Sequence, residues 1–272
     1  MAVVNLSMLR FTSTEAPKPS LSEPKAPSHP PIFEEWMKTR GSSVFVTLTK
    51  WDNNKLKHKW LHNLALSTDT YRSPYLHKRP EELLYNNTYS VEHVLPRDRI
   101  HNDTYESDPY GWVLADRKEN RIRSNYPLLL WPRETPESIR VNQKAHLCTV
   151  ETNVIDSNGT EQTVTEKHYE PPENEKARLA RKWLYMRATY YTCVDPPSHA
   201  QSKHMANIVA LCKNTPPTPT EIEIGAKVEQ IVGFNNPLLS SEQEEIANTF
   251  YDNATFRALV NGVYKSGRMQ CS

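Results

Sequence analysis

The chain has 272 residues, enough for one large domain or two small ones. Hydrophobic residues make up 37%, below the usual globular share, and the deficit is concentrated at the N-terminus. A net charge of +1 excludes a global field that would draw the protein to nucleic acid, so any such attraction must come from local patches. No apolar run reaches the length of a membrane span, so no membrane association is expected. The start, MAVVNLSMLRF, lacks a basic region before a long apolar core. No signal peptide is recognised there, which leaves an intracellular location slightly favoured over a secreted one.

Residues 1–32 include the Pro/Ser-rich run TSTEAPKPSLSEPKAPSHPPI, which can bury little and is expected to be a disordered tail with unknown protein partners. Residues 33–272 are expected to form a single domain. FEEWMK reads as a short helix and SVFVTLT, at 43–49, as a strand. NNKLKHKWLHNLAL places Leu56, Trp60, Leu61 and Leu64 on one helical face, with Asn53 or Asn54 as N-cap. His58 and His62 lie one turn apart there; on a Lys-rich face they read as solvated rather than as a zinc pair.

The most informative stretch is Tyr89 to Asn125. Tyr89 and Val91 alternate with Ser90 and Glu92 in a strand that Pro96 stops. Glu92 and His93 are adjacent and point to opposite faces, so both serve one site only where the strand bends or ends. An apolar piece follows at Trp112-Val113-Leu114, then the polar, helix-permissive ADRKENRIR with Asn120. A carboxylate, a histidine and an amide oxygen so delivered form a candidate hard-metal and general-base site.

Further on, the LLLW run between Pro127 and Pro136 reads as buried packing. HLCTVETNV and EQTVTEKHY flank Asn158-Gly159, a strong hairpin signal. Pro171 and Pro172 then precede a helix with 3.6 periodicity and five cations: Lys176, Arg178, Arg181, Lys182 and Arg187. Asp195 to Thr220 reads as a Pro-rich loop with a short helix near MANIVALC. TEIEIGAKVEQIVGF reads as a helix broken at Asn235-Asn236-Pro237, and Ser241 with Glu244 as a capping box. ATFRALVNGVYK is the last helix. The four cysteines show no metal spacing and read as one or two disulfides or as buried thiols. Seven glycines without a phosphate-cradling loop argue against a dinucleotide fold.

Taken together, these pieces resemble the endonuclease I family of non-specific nucleases, with its ββα-metal (His-Me finger) core. The family's Glu-His-Val-x-Pro is matched by Glu92-His93-Val94-Leu95-Pro96. Its Asp-containing segment and Asn-x-x-Arg-Ser-Asn-x-Pro are matched by Asp108 and Asn120 to Pro127. Its Phe-Glu-Pro-Pro and basic helix are matched by Tyr169-Glu170-Pro171-Pro172 and Lys176 to Met186, and an Asn-Pro pair by Asn236-Pro237. Tyr110-Gly111 stand where the family usually has His-Asn.

The resemblance implies an α+β fold built on the ββα-metal core, with surrounding helices and a hairpin. It implies a monomeric endonuclease acting on DNA and/or RNA with one Mg2+ ion, for which Mn2+ or Ca2+ substitute. Glu92 and Asn120 would hold the ion with oxygen ligands. His93 would be the general base, and Arg123 would steady the phosphate. Arg97, Arg99, Lys176, Arg178 and Arg181 would bind the nucleic acid backbone. The sequence leaves two other readings open: a catalytically degenerate nucleic-acid-binding protein of the same fold, and a structural or interaction protein.

Overall fold

The computed structural model describes residues 54–85, 89–101, 108–133, 145–156, 158–191, 193–233, 235–239 and 251–261. The expected tail, the helix and strand between 33 and 49, and the Ser241 capping box lie outside them. The described residues mix helices with two antiparallel strand pairs, as an α+β fold does. No helix among them is long and apolar enough to cross a membrane.

The first helix, α1 (Asn54–Leu66), buries Leu61, Leu64 and Ala65, as its apolar spacing dictates. His62 lies on the same helix and is not solvated: its ring packs on Tyr89, with centroids 5.2 Å apart. A short helix, α2 (Pro80–Tyr85), was not expected from the sequence; Pro80 opens it, followed by two glutamates in its first turn.

Strand β1 (Tyr89–His93) pairs antiparallel with β2 (Trp112–Asp116), placing Glu92 opposite Val113 and His93 opposite Trp112. The pairing extends one step, because Val94 N–H donates to the Gly111 carbonyl at 3.0 Å. Pro96 then ends it, and Arg97–Arg99 form a single 3-10 turn. Helix α3 (Arg117–Arg123) starts where the Asp116 side chain accepts from the Lys118 and Glu119 N–H groups.

The hairpin β3 (His146–Ile155) and β4 (Glu161–Glu170) turns at Gly159, whose φ of +81° suits a residue without a Cβ. One face of the hairpin, including Thr152 and His168, is turned inward, while Leu147, Thr149, Glu151, Asn153 and Ile155 are exposed. That alternation is the mark of an antiparallel pair covered on one side.

At the centre runs α4 (Glu173–Thr189). Three of its five cations, Lys176, Arg178 and Arg181, are expected to meet nucleic acid, yet Lys176, Arg181, Lys182 and Arg187 are all buried. From Asp195, the short helix expected near MANIVALC is present as α6 (Met205–Asn214), and a further helix, α5 (His199–Lys203), replaces part of the expected loop before it. Ser198 and Gln201 form a capping box that starts α5. Helix α7 (Pro219–Val232) carries a second capping box, Thr218 with Glu221, and ends at Gly233 in the left-handed conformation. Asn236 and Pro237 follow it, with a 3-10 turn at Pro237–Leu239, and α8 (Ala254–Val260) is the last described helix. Leu128 to Trp131 are buried as expected, and they join β1, β2 and α4 in one core.

Candidate active site

The site begins with the way β2 is anchored. Asp108 is fully buried and caps the turn before β2 by accepting from Tyr110 N–H at 2.8 Å. Its other oxygen accepts from the hydroxyls of Tyr185 and Tyr190 on and beside α4, at 2.9 and 2.6 Å. After Pro109 comes the Tyr110-Gly111 pair. Tyr110 is buried against Tyr185, and its carbonyl accepts from Lys182 Nζ at 3.0 Å. At Gly111 an added Cβ would lie 2.8 Å from Met186 Sδ, so close approach to α4 favours glycine there. This segment therefore locks the β1–β2 pair onto the central helix.

On that frame, β1 and α3 face one another. Glu92 is 1% exposed. Its Oε1 accepts from Tyr75 OH at 2.9 Å and lies 3.1 Å from Arg123 Nη1. No hydrogen bond from the described residues reaches its Oε2. Burial pushes the Glu92 carboxyl above its usual range, while Arg123 and the Tyr75 hydroxyl pull it back down. Asn120 projects from α3 onto the same face of β1: its Nδ2 donates to Ser90 Oγ at 3.0 Å and to the Val91 carbonyl at 3.1 Å. Both amide hydrogens are thereby used, which orients the side-chain oxygen away from the strand backbone. No hydrogen bond from the described residues involves that oxygen.

His93, the last residue of β1, is half-buried. Strand alternation puts it on the other face from Glu92, where its ring meets Trp112 edge-on at 6.0 Å. The structure thus brings Glu92, Asn120 and Arg123 together on one face of β1. His93 stands at the strand's end on the other.

Four expected contacts to nucleic acid require correction. Arg123 is 2% exposed and is bound on both sides, to Glu92 and to the Val94 carbonyl at 2.8 Å, so it supports the site from beneath. Lys176 is enclosed by Glu170, Glu173 and the Trp131 carbonyl at 2.8, 2.8 and 3.1 Å. Arg178 pairs with Glu175 and donates to the Arg72 carbonyl at 3.1 Å. Arg181 holds both Glu221 oxygens at 2.8 Å and the Thr215 carbonyl. Charges so desolvated persist only when paired, and these pairs occupy three of the helix's five cations. Glu170, Glu173 and Glu175 are near in sequence, but Trp131, Arg72, Thr215 and Glu221 are 34 to 106 residues away, which the sequence could not show.

Arg97 and Arg99 are exposed, as a surface contact requires, and Arg99 lies 3.4 Å from Asp195 in a pair weakened by solvent. Exposed cations overlooked in the sequence sit on α3 itself: Arg117, Lys118 and Arg121. An open groove borders this surface, lined by Arg99, Asn125, Tyr126, Lys167, Asp195 and His199. Also overlooked is Tyr75, which no motif marks. A loop tyrosine between two helices carries no local signal of the carboxylate it will meet.

Cys193 is disulfide-bonded, while Cys148 and Cys212 are free thiols pushed up to about 11 and about 12 by burial, which makes them poor nucleophiles. Among the described residues no three His, Cys, Asp or Glu side chains are gathered to hold a metal. A family model described as Endonuclease I matches residues 39–242. No curated protein matches the chain.

Proposed function

Because the chain belongs to the endonuclease I family, we propose that it is a metal-dependent endonuclease with a ββα-metal core, hydrolysing phosphodiester bonds of DNA, and of RNA, with little sequence preference. The observation that carries this reading is the state of two side-chain oxygens. Glu92 Oε2 and Asn120 Oδ1 take no hydrogen bond from the described residues, while every other polar atom of the two side chains is engaged. A carboxylate and an amide oxygen, fixed on facing elements, suit a hard divalent cation that keeps several waters. Mg2+, with Mn2+ or Ca2+ as substitutes, would be held by these two residues and would stabilise charge on the scissile phosphate.

The protein's own groups supply the rest. His93, at the end of β1, is the general base: an imidazole nitrogen takes a proton from the attacking water. Glu92 and His93 lie on opposite faces of β1, so a phosphate would have to lie across the strand end, where His93 stands, to meet both. Arg123 favours the charged form of Glu92 against the rise that burial causes. The exposed cations of α3, with Arg97 and Arg99, meet phosphates rather than base edges, so affinity should fall steeply with salt.

The test is digestion of a supercoiled plasmid in MgCl2 and in EDTA by wild type and His93→Ala. Nicking by wild type in magnesium alone, and loss of at least a hundredfold in the variant, is expected from removing a general base. Equal nicking by the two proteins, or by wild type in EDTA, would overturn the reading. A gel shift without cleavage in magnesium would identify a catalytically degenerate binding protein.

A further inference from the structure

If Glu92 and Asn120 hold the cation, as the reading above has it, something must set the spacing of their two oxygens. Glu92 belongs to a strand and Asn120 to a helix, so one ion meets both only if the two elements are held at a fixed separation. Tyr75, in the loop between α1 and α2, is fully buried and donates to Glu92 Oε1 at 2.9 Å. Its ring meets that of Tyr169 edge-on, with centroids 5.0 Å apart and planes at 77°. Tyr169 in turn donates to Glu119 Oε2 at 2.6 Å, and Glu119 immediately precedes Asn120 on α3. One hydroxyl therefore grips the strand carboxylate, the other grips the helix that carries the amide, and the two rings are packed on each other in between. Tyr169 is itself fixed, since its backbone exchanges hydrogen bonds with Pro127 and Leu129 at 2.9 and 3.0 Å.

We propose that Tyr75 and Tyr169 are a positioning pair for the cation site, so that divalent-ion affinity depends on both hydroxyls. Both side chains are fully buried, away from any surface a nucleic acid could reach. The Tyr169 hydroxyl is an addition in this chain at a position where the family segment reads Phe-Glu-Pro-Pro, and Tyr169→Phe keeps the ring that packs on Tyr75.

The experiment uses Tyr75→Phe, Tyr169→Phe and the double variant in the full chain. Mn2+ affinity of the metal-free protein is measured by titration calorimetry, DNA affinity in EDTA by gel shift, and kcat and KM for plasmid nicking across Mg2+ concentrations. Each single variant should weaken Mn2+ binding by about tenfold, as removal of a partner to a ligating group does. The double variant should lose less than the product of the two, because the hydroxyls act through one packed unit. DNA affinity in EDTA and KM should hold, and raised Mg2+ should restore kcat. Wild-type Mn2+ affinity in both single variants would overturn the proposal. So would a loss that excess Mg2+ does not restore and that follows a lowered melting temperature in EDTA, since that marks a merely structural role. If wild type binds no Mn2+, or Glu92→Gln binds it unchanged, the metal-site reading itself falls. If wild type passes those controls and the tyrosine variants bind normally, only the positioning role falls.

Discussion

Arg123→Met separates two roles that the sequence allows for this residue. The guanidinium is 2% exposed, 3.1 Å from Glu92 Oε1 and 2.8 Å from the Val94 carbonyl. Methionine fills much of the same volume but leaves a buried carboxylate with Tyr75 as its remaining donor. Removing one partner of a buried pair costs about 3–5 kcal/mol, and an orphaned carbonyl adds about 1 kcal/mol or more. Urea unfolding should therefore show a loss of about 4 kcal/mol or more at pH 8. The sign of its pH dependence follows from Glu92. Burial already holds its carboxyl above the unfolded value, and Arg123 is the largest influence lowering it. Without Arg123 the carboxyl rises further, so the folded chain retains a proton that the unfolded chain has released. The contribution from this group is then fully present at low pH and is lost as pH rises through the folded pKa. The variant's penalty should be smaller at pH 5 than at pH 8, and adding Glu92→Gln should recover at least half of it. Near-wild-type stability together with lost nicking would refute the reasoning and assign Arg123 to the substrate. A penalty independent of pH would refute its electrostatic part.

Lys182→Met should change the stability profile in alkali. Burial, aided by Arg178, lowers Lys182 from 10.5 to about 8, worth about 3 kcal/mol against its charged form. The unfolded chain binds the extra proton in that window, so wild-type stability gains as pH rises from 8 towards 10.5, and the variant should lack this gain in urea titrations. Gly111→Asn, which installs the family's usual residue, should cost about 1–3 kcal/mol by overpacking against Met186. Adding Met186→Ala should recover part of that cost in thermal melts. Charge reversal at Arg117, Lys118 and Arg121 should weaken DNA binding and flatten its dependence on log salt by about one for each phosphate no longer neutralised. Arg181→Met should leave that slope unchanged while lowering stability by about 3–5 kcal/mol, because Arg181 is buried against Glu221.

Periodicity and turn chemistry made the local elements legible. The apolar spacing from Trp60 to Leu64, the alternation from Tyr89, and Asn158-Gly159 each fix a structure from neighbours a few residues away. The Glu-His-Val-x-Pro and Asn-x-x-Arg-Ser-Asn segments likewise brought Glu92 and Asn120 to facing elements. What failed was the reading of charge. A lysine or arginine on a helix reads as solvated until its partner is known, and the partners of α4 lie from Arg72 to Val260. Arg123 misled for a related reason: its spacing from Asn120 was right, but a helix residue three positions on also faces the strand, where Glu92 was waiting. Tyr75 was invisible because its role exists only after folding.

The buried cations of α4 also bear on the order in which the chain folds. Their acceptors come from β4, α7, α8 and loops across nearly the whole described chain. An early collapse that took α4 inside before those acceptors arrived would strand unpaired charge in the core, at several kcal/mol per ion. The helix can therefore enter only when its distant partners enter with it, a late and all-or-none step whose loop-closure cost makes folding slow. Once in place, it has no inexpensive way to leave alone. Its amides should exchange with solvent only through global unfolding, which makes α4 the slowest-exchanging element of the protein.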